Sequence, residues 1–264
     1  MNYDEVWKDF ITGVNLEEKY SDLDDPLIKG LTCEESKKTE KANYYEKSIE
    51  DGNSFGYLAL ALLRNSSDAE EYGYIMALHQ GNLWAYYYMG LLALEREYYT
   101  VAKFYIDKTL EKKIFGATLL LGMYYEKMKN FEKAEELYEK AVQEEIPRAC
   151  INAGNLQEKM GRKEKAIFFY EKGKNFWSLV DLYWNSKNNY KSILSCLDGF
   201  YETKEDDFLR HAYETIKELT SEESVILLKE YAILRGDYEK LYYSPDAGPG
   251  FLQGKKSFDF LTTK

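Results

Sequence analysis

Residues 81–110 read GNLWAYYYMGLLALEREYYTVAKFYIDKTL, and residues 117–143 read ATLLLGMYYEKMKNFEKAEELYEKAVQ. Small residues recur in and beyond these stretches at a 32-residue step. A repeat of this length is typical of stacked helix pairs, because one pair alone cannot bury its apolar face. The step relates Ala85, Ala117 and Ala149, then Gly90, Gly122 and Gly154, and then Ala102, Ala134 and Ala166.

Looser copies of the repeat flank these three. Residues 51–56 (DGNSFG) match residues 80–85 (QGNLWA) at a step of 29, and residues 175–202 keep the helix-pair pattern without the glycines. Residues 205–219 and 222–235 have the pattern of two further amphipathic helices. The small residues predict that the two helices of each pair approach closely, while larger side chains fill the space between successive pairs.

Several positions of three sequence motifs recur in register along the repeats, and each motif is complete in one copy. The first helix begins as A-x-x-x-L-G-x-x-Y, the second carries A-x-x-x-Y-x-x-A, and the junction reads G-N-x-x-A. These motifs resemble Sel1-like repeats, a branch of the tetratricopeptide superfamily, over residues 39–202, although the 32-residue units are closer in length to ordinary tetratricopeptide repeats. The resemblance implies an all-α fold, a right-handed α-solenoid of stacked antiparallel helix pairs. It also implies a scaffold or adaptor that binds peptides or protein surfaces.

The pattern predicts four regions along the chain. Residues 1–38 form an N-terminal capping region, and residues 39–202 form the repeats. Residues 203–243 form degenerate helical repeats or a cap, and residues 244–264 form a non-repeat tail. Two of the four prolines fall in that tail, which excludes a continuous helix through it. We expect the tail either to dock on the repeats or to be a frayed end.

The net charge of −11 opposes nucleic acid and anionic membranes as partners. The charge lies on the flanks of the repeats. Residues 1–53 carry 14 acidic and 7 basic residues, whereas residues 54–199 carry 19 of each. This asymmetry favours either a basic partner protein or simply a soluble surface.

The sequence also predicts where the protein resides. Its longest apolar run, residues 57–63, has seven residues, whereas a membrane-spanning helix needs about twenty. The first ten residues are acidic and interrupted, unlike a secretory signal. Three widely separated cysteines suit a reducing compartment better than a disulfide framework. We therefore predict a cytoplasmic protein.

No pattern of residues points to catalysis. His79 and His211 are the only histidines and are far apart in the sequence. Metalloprotease, nucleophile-elbow, P-loop and dinucleotide-binding motifs are absent from the sequence. The acidic cluster Asp22, Asp24 and Asp25 lacks the glycine and the terminal glutamate of a calcium loop. We predict no catalytic residue, no metal site and no cofactor.

Candidate binding residues follow from the register of the repeats, because the first helix of each pair lines the concave surface in folds of this type. Positions six and three residues before each repeat glycine, and one and four residues after it, share one helix face. Aromatic residues and methionine there suit a partly hydrophobic peptide or helix, unless curvature or the tail buries them. The predicted partner-binding residues are Trp84, Tyr87, Leu91, Leu94, Leu119, Met123, Arg148, Ile151 and Asn155.

Three functions are compatible with this pattern. The first is a non-enzymatic interaction module that binds a peptide or protein segment on the concave solenoid surface. The second is an acidic inhibitor or immunity-type protein that covers a basic partner. The third is a structural homo-oligomer, held by its end repeats or by exchange of the tail. The salt dependence of binding distinguishes the first two functions. Binding of a basic partner by acidic residues weakens steeply as ionic strength rises, whereas binding in an apolar groove does not.

Overall fold

A computed structural model of the chain describes residues 1–216, apart from residues 21, 65 and 66. In this part of the chain every regular element is an α-helix. The predicted helix at 222–235, the end of the predicted cap and the tail at 244–264 lie outside the described residues. The helices are α1 (Tyr3–Thr12), α2 (Leu16–Lys19), α3 (Pro26–Thr32), α4 (Lys38–Glu50), α5 (Phe55–Arg64), α6 (Ser67–His79), α7 (Ala85–Glu95), α8 (Tyr99–Glu111), α9 (Ala117–Lys127), α10 (Phe131–Gln143), α11 (Ala149–Lys159), α12 (Lys163–Lys172), α13 (Phe176–Asn185), α14 (Asn189–Thr203) and α15 (Asp206–Ile216).

The chain divides into two compact units, Met1–Leu156 and Gln157–Lys264. In the first unit, α3 packs against α4, α5 against α6, α7 against α8, and α9 against α10. These pairs also stack, because α4 contacts α5, α6 contacts α7 and α8 contacts α9. In the second unit, α13 packs against α14, and α14 packs against α15. The predicted all-α fold of stacked helix pairs is confirmed.

Helix pairing begins inside the region predicted as a cap. α3 lies within residues 1–38 and packs against α4, and the Tyr45 hydroxyl on α4 donates a hydrogen bond to the Gly30 carbonyl at 3.0 Å. The Tyr45 ring lies directly over Gly30, where a β-carbon would collide with it. The close approach of these two helices therefore depends on glycine at this position.

The small residues of the repeat lie where helices approach most closely. Gly122 on α9 faces Tyr138 on α10, and a β-carbon at Gly122 would stand 2.7 Å from the tyrosine ring. The repeat alanines are buried, so larger side chains there would push the helices apart. The prediction that small residues allow close helix packing is confirmed. The alanines with 0% exposure include Ala85, Ala102, Ala134, Ala149 and Ala166.

Several of the turns between helices share one backbone geometry. In the turn between α9 and α10, Lys129 has a left-handed φ of 58°, and the Asn130 amide donates to the Tyr125 carbonyl at 2.9 Å. The Asn130 side chain then accepts a hydrogen bond from the Lys133 amide at 3.2 Å and caps α10. One left-handed residue thus ends a helix, and the next residue begins its partner. The same left-handed φ occurs at Glu97, Lys113, Glu145, Lys174 and Lys187.

This geometry predicts that Lys129→Gly stabilises the protein. A left-handed φ strains a lysine but not a glycine, whereas glycine makes the unfolded chain more flexible, which partly offsets the relief of strain. We expect the free energy of unfolding to rise by about 0.5–1 kcal/mol on balance. Urea denaturation followed by circular dichroism measures the change. The control is Glu139→Gly, at an exposed position inside α10, where glycine should cost about 1 kcal/mol. Equal losses for both variants would contradict the prediction.

Candidate interaction surface

The N-terminal helix covers the start of the first helices α5 and α7. Trp7 on α1 is fully buried, with its ring centroid 5.4 Å from that of Phe55 and 6.3 Å from that of Tyr88. The Trp7 Nε1 donates a hydrogen bond to the Tyr88 hydroxyl at 3.2 Å, and the Trp84 Nε1 donates to an Asp4 carboxylate oxygen at 2.9 Å. Large aromatic rings and indole hydrogen bonds therefore hold α1 on this surface.

The junction that positions Trp84 follows from the Gly-Asn pair before it. Gly81 has a left-handed φ of 80°, which ends α6. The Asn82 side chain then accepts a hydrogen bond from the Trp84 amide at 3.1 Å. Asn53 does the same for the Phe55 amide at 3.0 Å, one repeat earlier. The G-N-x-x-A motif is thus a helix start that directs an aromatic side chain towards α1.

Three of the predicted binding residues are buried and are not available at the surface of the free protein. Trp84 is 5% exposed, because α1 covers it and Asp4 binds its indole nitrogen. Leu94 is 1% exposed, because it packs in a cluster with Ala102, Ile106 and Leu120. Leu119 is 3% exposed and precedes the fully buried Leu120, since this part of α9 faces the interior.

The other six predicted residues remain accessible. Their apolar members are half-buried, so each offers one edge to solvent while its inner side packs in the core. On their inner side, Leu91 and Met123 pack against the buried cluster that contains Leu94 and Leu120. We call these six residues the first-helix face: Tyr87, Leu91, Met123, Arg148, Ile151 and Asn155.

Tyr87 connects the helices that carry the first-helix face. α7 packs against α9, and the Tyr87 ring lies over Gly116 at the start of α9. Gly116 has a φ of 92°, and a β-carbon there would stand 3.0 Å from the Tyr87 ring. Burial raises the pKa of the Tyr87 hydroxyl, and the positive charge of Arg148 acts in the opposite direction. The face therefore combines an apolar middle with an exposed cation at its α11 end.

The described residues offer no arrangement for metal chemistry. Within residues 1–20, 22–64 and 67–216, no group of three histidine, cysteine, aspartate or glutamate side chains could hold a metal ion. His79 lies in the first unit and His211 in the second. Among the described residues, no helix is both long and apolar enough to cross a membrane.

Comparison with known protein families agrees with this geometry. The tetratricopeptide repeat family matches residues 117–145 and 147–176, which contain the α9/α10 pair and helices α11 and α12. These two stretches are tetratricopeptide-type repeats. The predicted tetratricopeptide type is thereby confirmed, whereas membership of the Sel1-like branch stays a prediction. No curated protein matches the chain.

The first-helix face coincides with these tetratricopeptide repeats for four of its six members. Met123 lies in the repeat at 117–145, and Arg148, Ile151 and Asn155 lie in the repeat at 147–176. Tetratricopeptide repeats generally mediate interactions between proteins. The members of this face carry apolar, phenol, amide or guanidinium side chains.

Proposed function

We propose that the chain is a non-enzymatic interaction module that binds a peptide or a protein segment on the first-helix face. The observation that carries the proposal is the presence of half-buried apolar side chains on successive first helices, beside an exposed arginine. Leu91, Met123 and Ile151 can each bury further apolar area against a ligand, while their inner contacts keep them in place. Arg148 would pair with a carboxylate of the bound segment.

Capture from native lysate tests the proposal. The variant Leu91→Ala/Met123→Ala/Ile151→Ala removes the apolar anchors and should lose at least about tenfold in partner affinity, because buried anchors carry most of the binding energy. The matched control is Val101→Ala/Phe104→Ala, whose side chains are 46% and 55% exposed on the second helix α8. We expect the control variant to keep its partner. Retention of the partner by both variants, with native helicity, would move the binding site elsewhere.

A second candidate function is the inhibition of a basic protein by the acidic N-terminal region. The supporting observation is that residues 1–53 hold twice as many acidic as basic residues, with the Asp24 side chain 89% exposed. Binding of this kind should weaken steeply between low and high salt, whereas binding to the apolar first-helix face should change little. A structural homo-oligomer remains a third proposal, which light scattering on the intact chain and on a chain lacking residues 244–264 would test. A cytoplasmic location is likewise still a proposal.

A further inference from the structure

Helix α1 is closed at both ends by its own hydrogen bonds and is attached to the repeats through side-chain contacts. Its ends are closed locally, because the Asn2 side chain accepts from the Glu5 amide and the Val14 amide donates to the Asp9 carbonyl. Trp7, Asp4 and Tyr3 link it to α5 and to the start of α7, and the Tyr3 hydroxyl also donates a hydrogen bond to an Asp25 carboxylate oxygen at 2.6 Å. A helix of ten residues is marginal in isolation, so docking on the repeats is what keeps α1 ordered.

The surface under α1 has the features of a recognition site for a helix. Phe55, Tyr74 and Tyr88 are buried in its floor, and Tyr74 and Tyr88 stack with ring centroids 5.3 Å apart. Two polar atoms stand at fixed points, the Tyr88 hydroxyl and the Trp84 Nε1. Trp7 and Asp4 on α1 form hydrogen bonds with these two atoms. The two residues are three apart in the sequence and therefore lie on one face of the helix.

α1 fills this surface incompletely. A cavity of about 600 Å³ lies alongside it, between its first turns and the junctions before α7 and α9. Asp4 and Lys8 line the α1 side, and Lys112, Lys113 and Phe115 line the opposite side. The Lys8 ammonium lies 4.9 Å from the centroid of the Phe115 ring. A longer or bulkier acidic helix would therefore find unused volume and two lysines beyond the contacts that α1 makes.

We propose that the surface under α1 is a second binding site, which takes an acidic amphipathic helix from a partner protein. That helix would carry an indole in place of Trp7 and a carboxylate one turn before it, and α1 fills the site in the free protein. Because α1 is covalently linked to the repeats, its effective concentration at the site is high. Only a helix that makes additional contacts therefore displaces it. This inference does not rest on the proposed function, because it concerns a different surface and a different ligand.

A synthetic peptide of residues 1–14, MNYDEVWKDFITGV, labelled with fluorescein, is the probe. Fluorescence anisotropy compares its affinity for the intact chain and for the full-length Trp7→Ala variant, whose own α1 lacks its anchor. We expect the variant to bind the peptide more tightly than the intact chain by roughly tenfold or more, because the tethered competitor is weakened. A peptide carrying Trp7→Ala is the matched control and should bind neither chain.

Two results would overturn the proposal. One is a Trp7→Ala chain that keeps its helicity and a cooperative transition yet binds no peptide. The other is exchange of α1 between two copies of the chain, seen as a dimer by light scattering. If Trp7→Ala does not fold, a protease site replacing Leu23, which is 40% exposed, allows the folded wild-type chain to be cut. Replacement of the cut segment by labelled peptide supports the proposal, and its permanent retention contradicts it.

Discussion

Tyr138→Ala is expected to lower the free energy of unfolding by about 3–5 kcal/mol, as for other large aromatic side chains removed from a core. Tyr138 is 1% exposed, its ring lies against Gly122, and its hydroxyl donates to a Glu126 carboxylate oxygen at 2.7 Å. The substitution leaves a cavity between α9 and α10 and removes a charge-assisted hydrogen bond. Urea denaturation measures the loss.

A second-site substitution makes this test specific to the contact. Gly122→Leu alone should destabilise the protein, because its side chain would collide with the Tyr138 ring. In the Tyr138→Ala chain the same leucine enters the vacated space, so the two substitutions together should cost less than the sum of their separate effects. Tyr72→Ala, at a residue 62% exposed, is the control and should change little. Additive losses at positions 122 and 138 would contradict the packing described.

The protein is expected to unfold cooperatively above about pH 10, the ordinary pKa of tyrosine. Burial raises the pKa of several tyrosine hydroxyls, most strongly for five of them, and these five keep their protons when folded and release them when the unfolded chain ionises. Stability is therefore complete below the unfolded pKa and is lost as pH rises towards the raised folded values. In this range each of these tyrosines lowers the free energy of unfolding by about 1.4 kcal/mol per pH unit. The five together lower it by about 7 kcal/mol per pH unit. They are Tyr45, Tyr74, Tyr88, Tyr138 and Tyr170.

Phenolate absorbance and circular dichroism, followed together against pH, measure this transition. The helical signal should fall in the same narrow range in which most phenolate appears. Tyr74→Phe should reduce the slope of unfolding free energy against pH by about 1.4 kcal/mol per pH unit, because Tyr74 is 3% exposed. Tyr72→Phe, at an exposed residue of the same helix, should leave the slope unchanged. Gradual phenolate formation with intact helicity would contradict the account.

The repeat made most of the helix pairs predictable, because its signal is local. Ala102 and Ala134 mark positions where two helices touch, and the turn at Lys129-Asn130 lies between the two helices of one pair. Helix α3 was not predicted, since seven residues with a glycine inside carry too little periodicity to identify a helix. Its pairing with α4 depends instead on contact between Gly30 and Tyr45, which no spacing rule reveals.

The candidate site was predictable only in part, for a related reason. Register along a repeat selected positions that are partly accessible in the folded chain, such as Leu91 and Met123. It also selected Trp84, which is buried because Asp4, 80 residues earlier, binds its indole. The repeat relates the residues of the docking surface to one another, since Phe55 and Trp84 are one repeat apart, but it does not relate them to the helix that docks there. Contacts of such sequence separation become visible only in the folded chain.

Photo-crosslinking tests the central claim, that the first-helix face binds a protein partner. A photoreactive phenylalanine analogue replaces Met123 in one full-length chain and Phe104, on the second helix α8, in another. After illumination in native lysate, the account predicts a crosslinked partner from position 123 and none from position 104. A partner crosslinked only from position 104 would contradict the claim and place the binding surface on the second helices.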